Sequence, residues 1–445
     1  MSVRNILTEQ LLLPFSDYVI GNSIKKHLDF LLESQWWSRA QIDDYQNNRL
    51  HMMIEHSITT VPYYSKLFSS LGLTSKDIQS KEDLKKIPIL SKKEINKYGM
   101  ESLISNNYLK KKMIPISSSG STGEPLHYYE TKESHSMNIA ANLRGWYWMG
   151  YKLGDKYIKL SQNPRNDLIK RIQDKLSNNY YLSTSPLIDK NFKIILERIE
   201  HFQPKVIRSY PDPLLFLARY KKKNPNFTYE PMAITTTGNT LYPEIRDEIE
   251  DVFNCKIFDS YSCEGNANVF ECETHSGYHS SEEYGISEVL DDNDLPVENG
   301  VGRLISTDLY NYAYPFIRYD TQDQVEVISK ICNCGRKLLR YKRILGRSND
   351  IIISSTGEKF IVHHFTAFFQ TDYDNLKRSV RHFQIIKTKD DKIKFNLVVN
   401  KKFDKDVESF IIDYWFEKLQ YPIILNTVEN ISLTNSGKHK FVINE

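Results

Sequence analysis

Four features of the chain combine residue types and spacings that could do chemistry. The first is Ser117-Ser118-Ser119-Gly120-Ser121-Thr122-Gly123-Glu124-Pro125, directly after an apolar run at 113–116. Hydroxyl groups and glycine N–H groups in such a loop can close around phosphate oxygens. It is not a Walker A loop, because Glu124 follows Gly123 where that motif needs Lys-Ser/Thr. The second is a set of charged residues at the ends of apolar runs: Asp259-Ser260-Tyr261-Ser262-Cys263-Glu264, Arg318-Tyr319-Asp320-Thr321-Gln322-Asp323 and Gly346-Arg347-Ser348-Asn349-Asp350. A doubly wound sheet usually exposes its site at such strand ends. The third is Ser436-Gly437-Lys438 near the C-terminus, which carries a single lysine. Each of these also has an ordinary explanation as a flexible loop, a surface turn or a solvated lysine.

The fourth feature is Cys272-x6-His279 followed by Cys332-x-Cys334. Three thiolates and an imidazole make a four-ligand set suited to tetrahedral Zn²⁺, although the spacing is not that of a standard finger. Cys332-Asn333-Cys334-Gly335 reads as a tight turn that presents both sulfurs to one ion. His275 is the alternative fourth ligand. With no open coordination position such a zinc would be structural, clipping two loops together. Cys255 and Cys263 read as buried hydrophobes.

These residues need a framework to position them. The 445 residues carry 59 Lys+Arg against 56 Asp+Glu, and 40% hydrophobic with 12% aromatic content is enough to form cores. A net charge of +3 excludes a polycation built for nucleic acid. Five cysteines are too few and too uneven for a disulfide scaffold and favour a reducing compartment. The apolar patch at 11–15 is short and contains Pro14, so no signal peptide is expected, and no apolar run is long enough to span a membrane. The expected location is the cytoplasm.

Helical periodicity runs through 24–110, and from Met113 short β-branched runs alternate with helical stretches to about residue 258. The expected fold class is therefore α/β, in a large multi-layer N-terminal domain at 1–346, helical at 1–110 with an α/β core at 111–346. A smaller α+β unit is expected at 347–445, with strands at 351–354, a hairpin through 383–399 turning at Asp390-Asp391, a helix near 405–419 and a last strand near 423–433.

In this order the motifs resemble the adenylate-forming acyl-ligase superfamily, and within it the phenylacetate-CoA ligase-like group that includes capsule-polysaccharide adenylating proteins. The matching residues are Ser118–Gly123, Thr236-Thr237-Gly238, Tyr261 with its acid, Ile317–Asp323, Gly346-Arg347 with Asp350, and Ser436-Gly437-Lys438. Trp36-Trp37-Ser38, Val61-Pro62-Tyr63-Tyr64 and Tyr210-Pro211-Asp212-Pro213-Leu214 are similar to that branch too. The resemblance implies the large domain and mobile small lid of this superfamily. It also implies ATP-dependent activation of a carboxylic acid to an acyl-adenylate with release of pyrophosphate, then acyl transfer to CoA.

By the same resemblance Ser119, Gly120, Ser121, Thr122 and Gly123 would hold the β- and γ-phosphates, and Glu264 would hold Mg²⁺. Thr236, Thr237, Gly238 and Tyr261 would line the adenine pocket. Asp323 and Arg347 would hold the ribose. Lys438 would bridge the substrate carboxylate and the α-phosphate. The lid would turn about Asn349 and bring in a new face around Gly357. Glu124, Ser262 and Gln322 depart from the residues usual in the family. Phe270-Glu271-Cys272 and the Cys332–Gly335 turn are similar to zinc-bearing members. Two alternatives stand beside this reading: an adenylating enzyme of cell-surface polysaccharide assembly whose acceptor is a sugar amine, a hydroxyl or a carrier, and a zinc-stabilised scaffold that has lost catalysis.

Overall fold

The computed structural model describes residues 2–117, 126–161, 174–175, 177–184, 189–265, 267–347, 351–369, 376–431 and 440–445. The first part is helical, as the periodicity predicts, with helices at Ile24–Ser34, Arg39–Thr60, Pro62–Leu71 and Lys92–Tyr98 joined by short turns. Ser38 starts the longest of them by accepting from the Gln41 N–H, while the Gln41 side chain reaches back to the Ser38 N–H. Two otherwise orphaned donors are satisfied by this exchange. Pro62 occupies the first turn of its helix, where a missing N–H costs nothing.

Helix also extends upstream, through the patch around Pro14. Val3–Leu7 continues into a π turn at Thr8–Leu12 and then into Leu13–Ile20. The wider turn makes room ahead of a proline ring that would clash with the carbonyl four residues earlier in a regular helix.

Strands β1 (Ile114–Ser117) and β2 (His127–Glu130) pair antiparallel on either side of 118–125. The main sheet uses β3 (Tyr157–Ser161), β4 (Asn179–Ser183), β5 (Val206–Ser209), β6 (Ala233–Thr237), β7 (Lys256–Ser262), β8 (Asn268–Glu271), β9 (Tyr278–Ser280), β10 (Gly285–Leu290), β11 (Gly300–Asp308), β12 (Tyr319–Ile328) and β13 (Arg340–Arg347). Among the described residues these eleven strands lie in the order β10-β11-β12-β13-β9-β8-β7-β6-β5-β3-β4. Strands β3 to β7 run parallel, with the helices Asp189–Phe202, Pro211–Lys223 and Pro243–Phe253 between them, and β7 to β13 run antiparallel. Short loops suffice for the second half, whereas each parallel pair needs a crossover. The helix Pro243–Phe253 buries Ile245, Ile249 and Phe253 on one face against the sheet, at the spacing an amphipathic helix requires.

The helix Lys132–Trp148 ties the helical part to the sheet through a buried ion pair. Arg144 and Glu283 are both fully buried and meet at 2.7 Å, with Ser34 Oγ donating to Glu283 at 2.7 Å and Arg144 donating to Ser281 Oγ at 3.0 Å. Glu283→Ala should therefore destabilise the chain by about 3–5 kcal/mol in denaturant unfolding, because it strands a buried guanidinium. The double variant Arg144→Met/Glu283→Met should lose less than the single one. Equal losses would mean that packing, not charge, holds this junction.

A separate C-terminal domain follows. It has a hairpin of β14 (Ile351–Ile353) and β15 (Lys359–Ile361), and a four-stranded sheet of β16 (Val380–Lys387), β17 (Ile393–Val399), β18 (Ile423–Thr427) and β19 (Val442–Asn444) in the order β18-β17-β16-β19. The β16–β17 hairpin turns with Asp391 at φ 55°, as expected from Asp390-Asp391. Asp404 caps the helix Lys405–Leu419 by accepting from the Val407 N–H. The last strand differs from expectation. Three residues of β19 carry too little alternation to announce a strand, yet they pair parallel with β16. The domain packs on the large one through rings: His382 stacks on Phe216 at 5.5 Å and on Phe441 at 6.0 Å, and Phe441 meets Tyr242 edge-on.

Candidate functional site

The ends of β6 and β7 are locked by a buried polar network. Thr236 Oγ1 donates to Asp259 Oδ1 at 2.5 Å, and Tyr278 Oη donates to Asp259 Oδ2 at 2.8 Å. The Asp259 N–H donates to Glu271 Oε2 at 2.8 Å, and Arg246 donates to Glu271 Oε1 at 2.7 Å and to the Ile257 carbonyl at 2.7 Å. Burial pushes the Asp259 carboxyl up and raises Glu271 to about 7, against the pull of Arg246. Such a network, once every member is satisfied, fixes the backbone it spans.

That backbone leads into Gly238, which has φ +84°, and a Cβ there would stand 2.6 Å from the Tyr210 ring. Only glycine fits both the conformation and the space. Next to it, Asn239 Nδ2 donates to Asp212 at 2.6 Å, and burial raises Asp212 to about 6.

Tyr261 and Asp323 come together from distant parts of the sequence, with Tyr261 Oη donating to Asp323 Oδ2 at 2.6 Å. Asp323 follows Gln322, whose φ of +63° lies in the left-handed region that favours the glycine usual in the resembled family. The turn is held by local bonds: the Gln322 N–H donates to Asp320 Oδ1 at 2.9 Å and the Asp323 N–H donates to Thr321 Oγ1 at 3.1 Å. Asp323 faces Arg347 across the β12–β13 ladder. The neighbouring Arg318 has a different task. It is buried, pairs with Glu288 at 2.9 Å and 3.0 Å, and donates to the Ile87 carbonyl at 2.7 Å, which joins sheet to helical layer.

Glu264 lies just beyond β7, with its carbonyl accepting from Ser306 Oγ at 2.8 Å. Its carboxylate acts on Tyr128 of β2: burial first, then the charges of Glu130 and Glu264, push that phenol well up. Glu264 therefore lies within electrostatic reach of β2. A hard oxygen donor there suits Mg²⁺. Ser119, Gly120, Ser121, Thr122 and Gly123, Asn349 and Lys438 lie outside the described residues, and so does the Arg347 side chain.

The cysteine expectation meets a compact cluster. One ligand atom each from Cys272, His279, Cys332 and Cys334 lie within 4.8 Å of one another, so these residues could hold a metal ion. Cys272 Sγ is 3.7 Å from Cys332 Sγ, and Cys334 Sγ is 3.2 Å from His279 Nε2. A hydrogen bond with Cys272, followed by one with His279, lowers the Cys334 thiol, and the bond with Cys334 together with burial raises that of Cys272. Thr274 and Ser276 hydroxyls approach Cys332 at 3.2 Å and 3.4 Å. His275 is not a member of the cluster; its ring lies against Phe258 at 4.4 Å. Cys255 and Cys263 are half-buried rather than fully buried, and Cys255 is pushed up to about 12, chiefly by burial.

Sequence reasoning missed the Arg246–Glu271–Asp259–Tyr278 network and the Tyr210 ring against Gly238. Glu271 directly precedes Cys272, but nothing in the spacing joins it to Arg246, which comes from the crossover helix ahead of β7.

A family model described as the CapK C-terminal domain matches residues 352–445. The chain is 25% identical over 418 residues to Protein CapK of Staphylococcus aureus, covering 90% of this chain and 89% of that one. It is also 25% identical over 338 residues to a phenylacetate-coenzyme A ligase of Thermus thermophilus, covering 71% of this chain and 72% of the other. Crystal structures of a 2-hydroxyisobutyryl-CoA ligase share its fold at 16% identity over 93% of this chain and 92% of theirs. The TM-score is 0.74 for the postadenylation state with a bound acyl-AMP, and 0.61 for the thioesterification state with CoA.

Proposed function

From a chain that has the fold of the adenylate-forming acyl ligases and counts CapK and phenylacetate-CoA ligases among its homologues, we propose an AMP-forming carboxylate ligase. It activates a carboxylic acid with ATP to an acyl-adenylate, releases pyrophosphate and then passes the acyl group to CoA. The observation that carries the reading is the junction of Tyr261 with Asp323 beside the locked Thr236–Gly238 edge. It sets a buried carboxylate against a phenol near the end of the strand that follows the locked edge.

In this reading Asp323 accepts from the ribose hydroxyls, with Tyr261 fixing its orientation. Thr236, Thr237 and Gly238 form the wall against the base. The transition state concentrates charge on phosphate oxygens, which donors of Ser119–Gly123 and the Lys438 ammonium would meet. Glu264 would hold Mg²⁺, which supplies further neutralisation of phosphate charge. Phe441 packs edge-on against Tyr242, close in sequence to Gly238, which brings the C-terminal domain against that edge. The better match to a postadenylation than to a thioesterification state supports a lid set for the first half-reaction, with a turn about Asn349 bringing Gly357 in for the second. Zinc is the ion that the Cys272, His279, Cys332 and Cys334 donor set suits best, and it would be structural.

Asp323→Ala should raise the KM for ATP about 10- to 100-fold, the loss expected when a charged hydrogen-bond acceptor is removed from a bound ligand, while the fold is kept. Steady-state kinetics with ATP varied reads this directly, and an unchanged KM would remove Asp323 from the ribose site. The acceptor is decided by mass spectrometry of products with and without CoA. An acyl-CoA appearing only with CoA supports the proposal. An acylated sugar or carrier formed without CoA would replace it with the polysaccharide-assembly alternative.

A further inference from the structure

The helical segment Val3–Ile20 presents its faces in the opposite sense to a solvated helix. Three of its polar side chains, Asn5, Glu9 and Asp17, are buried against the protein, while Arg4 and Gln10 are exposed. Asn5 Nδ2 donates to the Leu153 carbonyl and to Asp155 Oδ1, each at 2.9 Å. Glu9 accepts from Tyr147 Oη at 2.7 Å, and Asp17 accepts from the Lys25 N–H at 2.8 Å. Contact is close enough that a Cβ on Gly154 would stand 2.8 Å from Thr8 Oγ1 and 3.2 Å from the Arg4 carbonyl.

Its apolar side chains point out. Val3, Leu7, Leu11 and Phe15 recur at four-residue spacing and are 75%, 46%, 61% and 68% exposed, and Ile6, Leu12, Tyr18, Val19 and Ile20 are exposed beside them. Isolated exposed hydrophobics are ordinary, but a continuous face of this kind marks an interaction surface.

Charge selects the occupant. Both acids of the segment, Glu9 and Asp17, are buried, so its outward face carries no anion. The cation Arg4 is exposed at one end. Lys132 lies at the other, where its Nζ donates to the Ile20 carbonyl at 2.5 Å, and Lys26 is exposed just beyond. An apolar strip with cations at its ends and no exposed anion of its own complements the surface of an anionic bilayer. Glu133 and Asp29 stand beside its Lys132 end, where Glu133 pairs with His27 and Asp29 with Lys25. The same strip on a second copy, packed about a two-fold axis, would bring no anion of this segment to Arg4.

We propose that Val3–Ile20 is an interfacial anchor that lays Leu7, Leu11 and Phe15 into the surface of an anionic phospholipid bilayer without crossing it. No described helix is long and apolar enough to cross. The inference stands apart from the ligase reading and survives its failure.

The test is co-sedimentation of the full chain with phosphatidylcholine vesicles, with and without phosphatidylglycerol. Wild-type protein should bind the anionic vesicles more tightly and lose affinity as salt rises. Leu11→Glu/Phe15→Glu changes only exposed positions, so its circular dichroism should match wild type while its vesicle affinity falls at least about tenfold, since two apolar side chains leave the lipid. Arg4→Glu should keep the weaker binding to neutral vesicles and lose most of the phosphatidylglycerol preference. Wild-type protein that fails to bind, or binds no better than the double variant, overturns the proposal. So does a wild-type dimer that the double variant splits in sedimentation velocity without any vesicle binding, because a second copy would then cover this face.

Discussion

Lys438→Ala should lower the rate of acyl-adenylate formation by about 10²- to 10³-fold, with little change in ATP affinity. The lysine is assigned a charge that grows in importance as the carboxylate attacks the α-phosphate, so its loss should fall on kcat and not on ground-state binding. Isotope exchange between pyrophosphate and ATP reports this half-reaction alone. Acyl transfer from preformed acyl-adenylate to CoA, measured separately, should be nearly unaffected, because the lid carrying Lys438 is proposed to turn away before that step. A variant with full exchange rate would remove Lys438 from the chemistry. One that lost both half-reactions equally would argue for a general defect of the lid.

The second large effect concerns the Cys272–His279–Cys332–Cys334 cluster. Purified protein should carry about one zinc per chain by elemental analysis, as a four-ligand set with no open position predicts. Cys332→Ser should lose most of that metal and on the order of 4 kcal/mol of stability, because metal binding free energy is folding free energy where the ligands come from two separate loops. Chelation should have the same direction of effect. Metal-free protein with an unchanged unfolding transition would show that the four side chains merely pack together. His275→Ala should leave the metal content unchanged, since that ring packs at a tilt against Phe258 and is not a member of the cluster.

Much of the framework could be read from sequence because its signals are local. Ser38 with Gln41, and the alternation of apolar runs with amphipathic helices at 228–258, announce their elements directly. The three thiols of the cluster and the need for a histidine beside them were legible from residue type, since five cysteines are few enough in this chain for their grouping to carry information. The choice between His275 and His279 was not. It depends on His275 taking a left-handed conformation, φ +49°, that turns its ring toward Phe258.

Pairings across sequence were equally hidden. Arg246 with Glu271, Tyr210 with Gly238 and Arg144 with Glu283 join elements that only the sheet order brings together. The outward apolar face of Val3–Ile20 was obscured by Pro14, which reads as a helix breaker until a π turn accommodates it. Strand β19 was missed because three residues are too few to show a period, and its place is set by the β16 edge it covers.

The central claim, carboxylate activation through an adenylate, is tested most directly by pyrophosphate exchange into ATP across a broad panel of aliphatic, hydroxy and aryl carboxylic acids. At least one acid should support exchange that requires Mg²⁺ and falls about 100-fold or more in Lys438→Ala. A folded, zinc-loaded protein that supports no exchange with any acid, and shows no ATP binding by calorimetry, would contradict the claim and leave a metal-stabilised scaffold in its place.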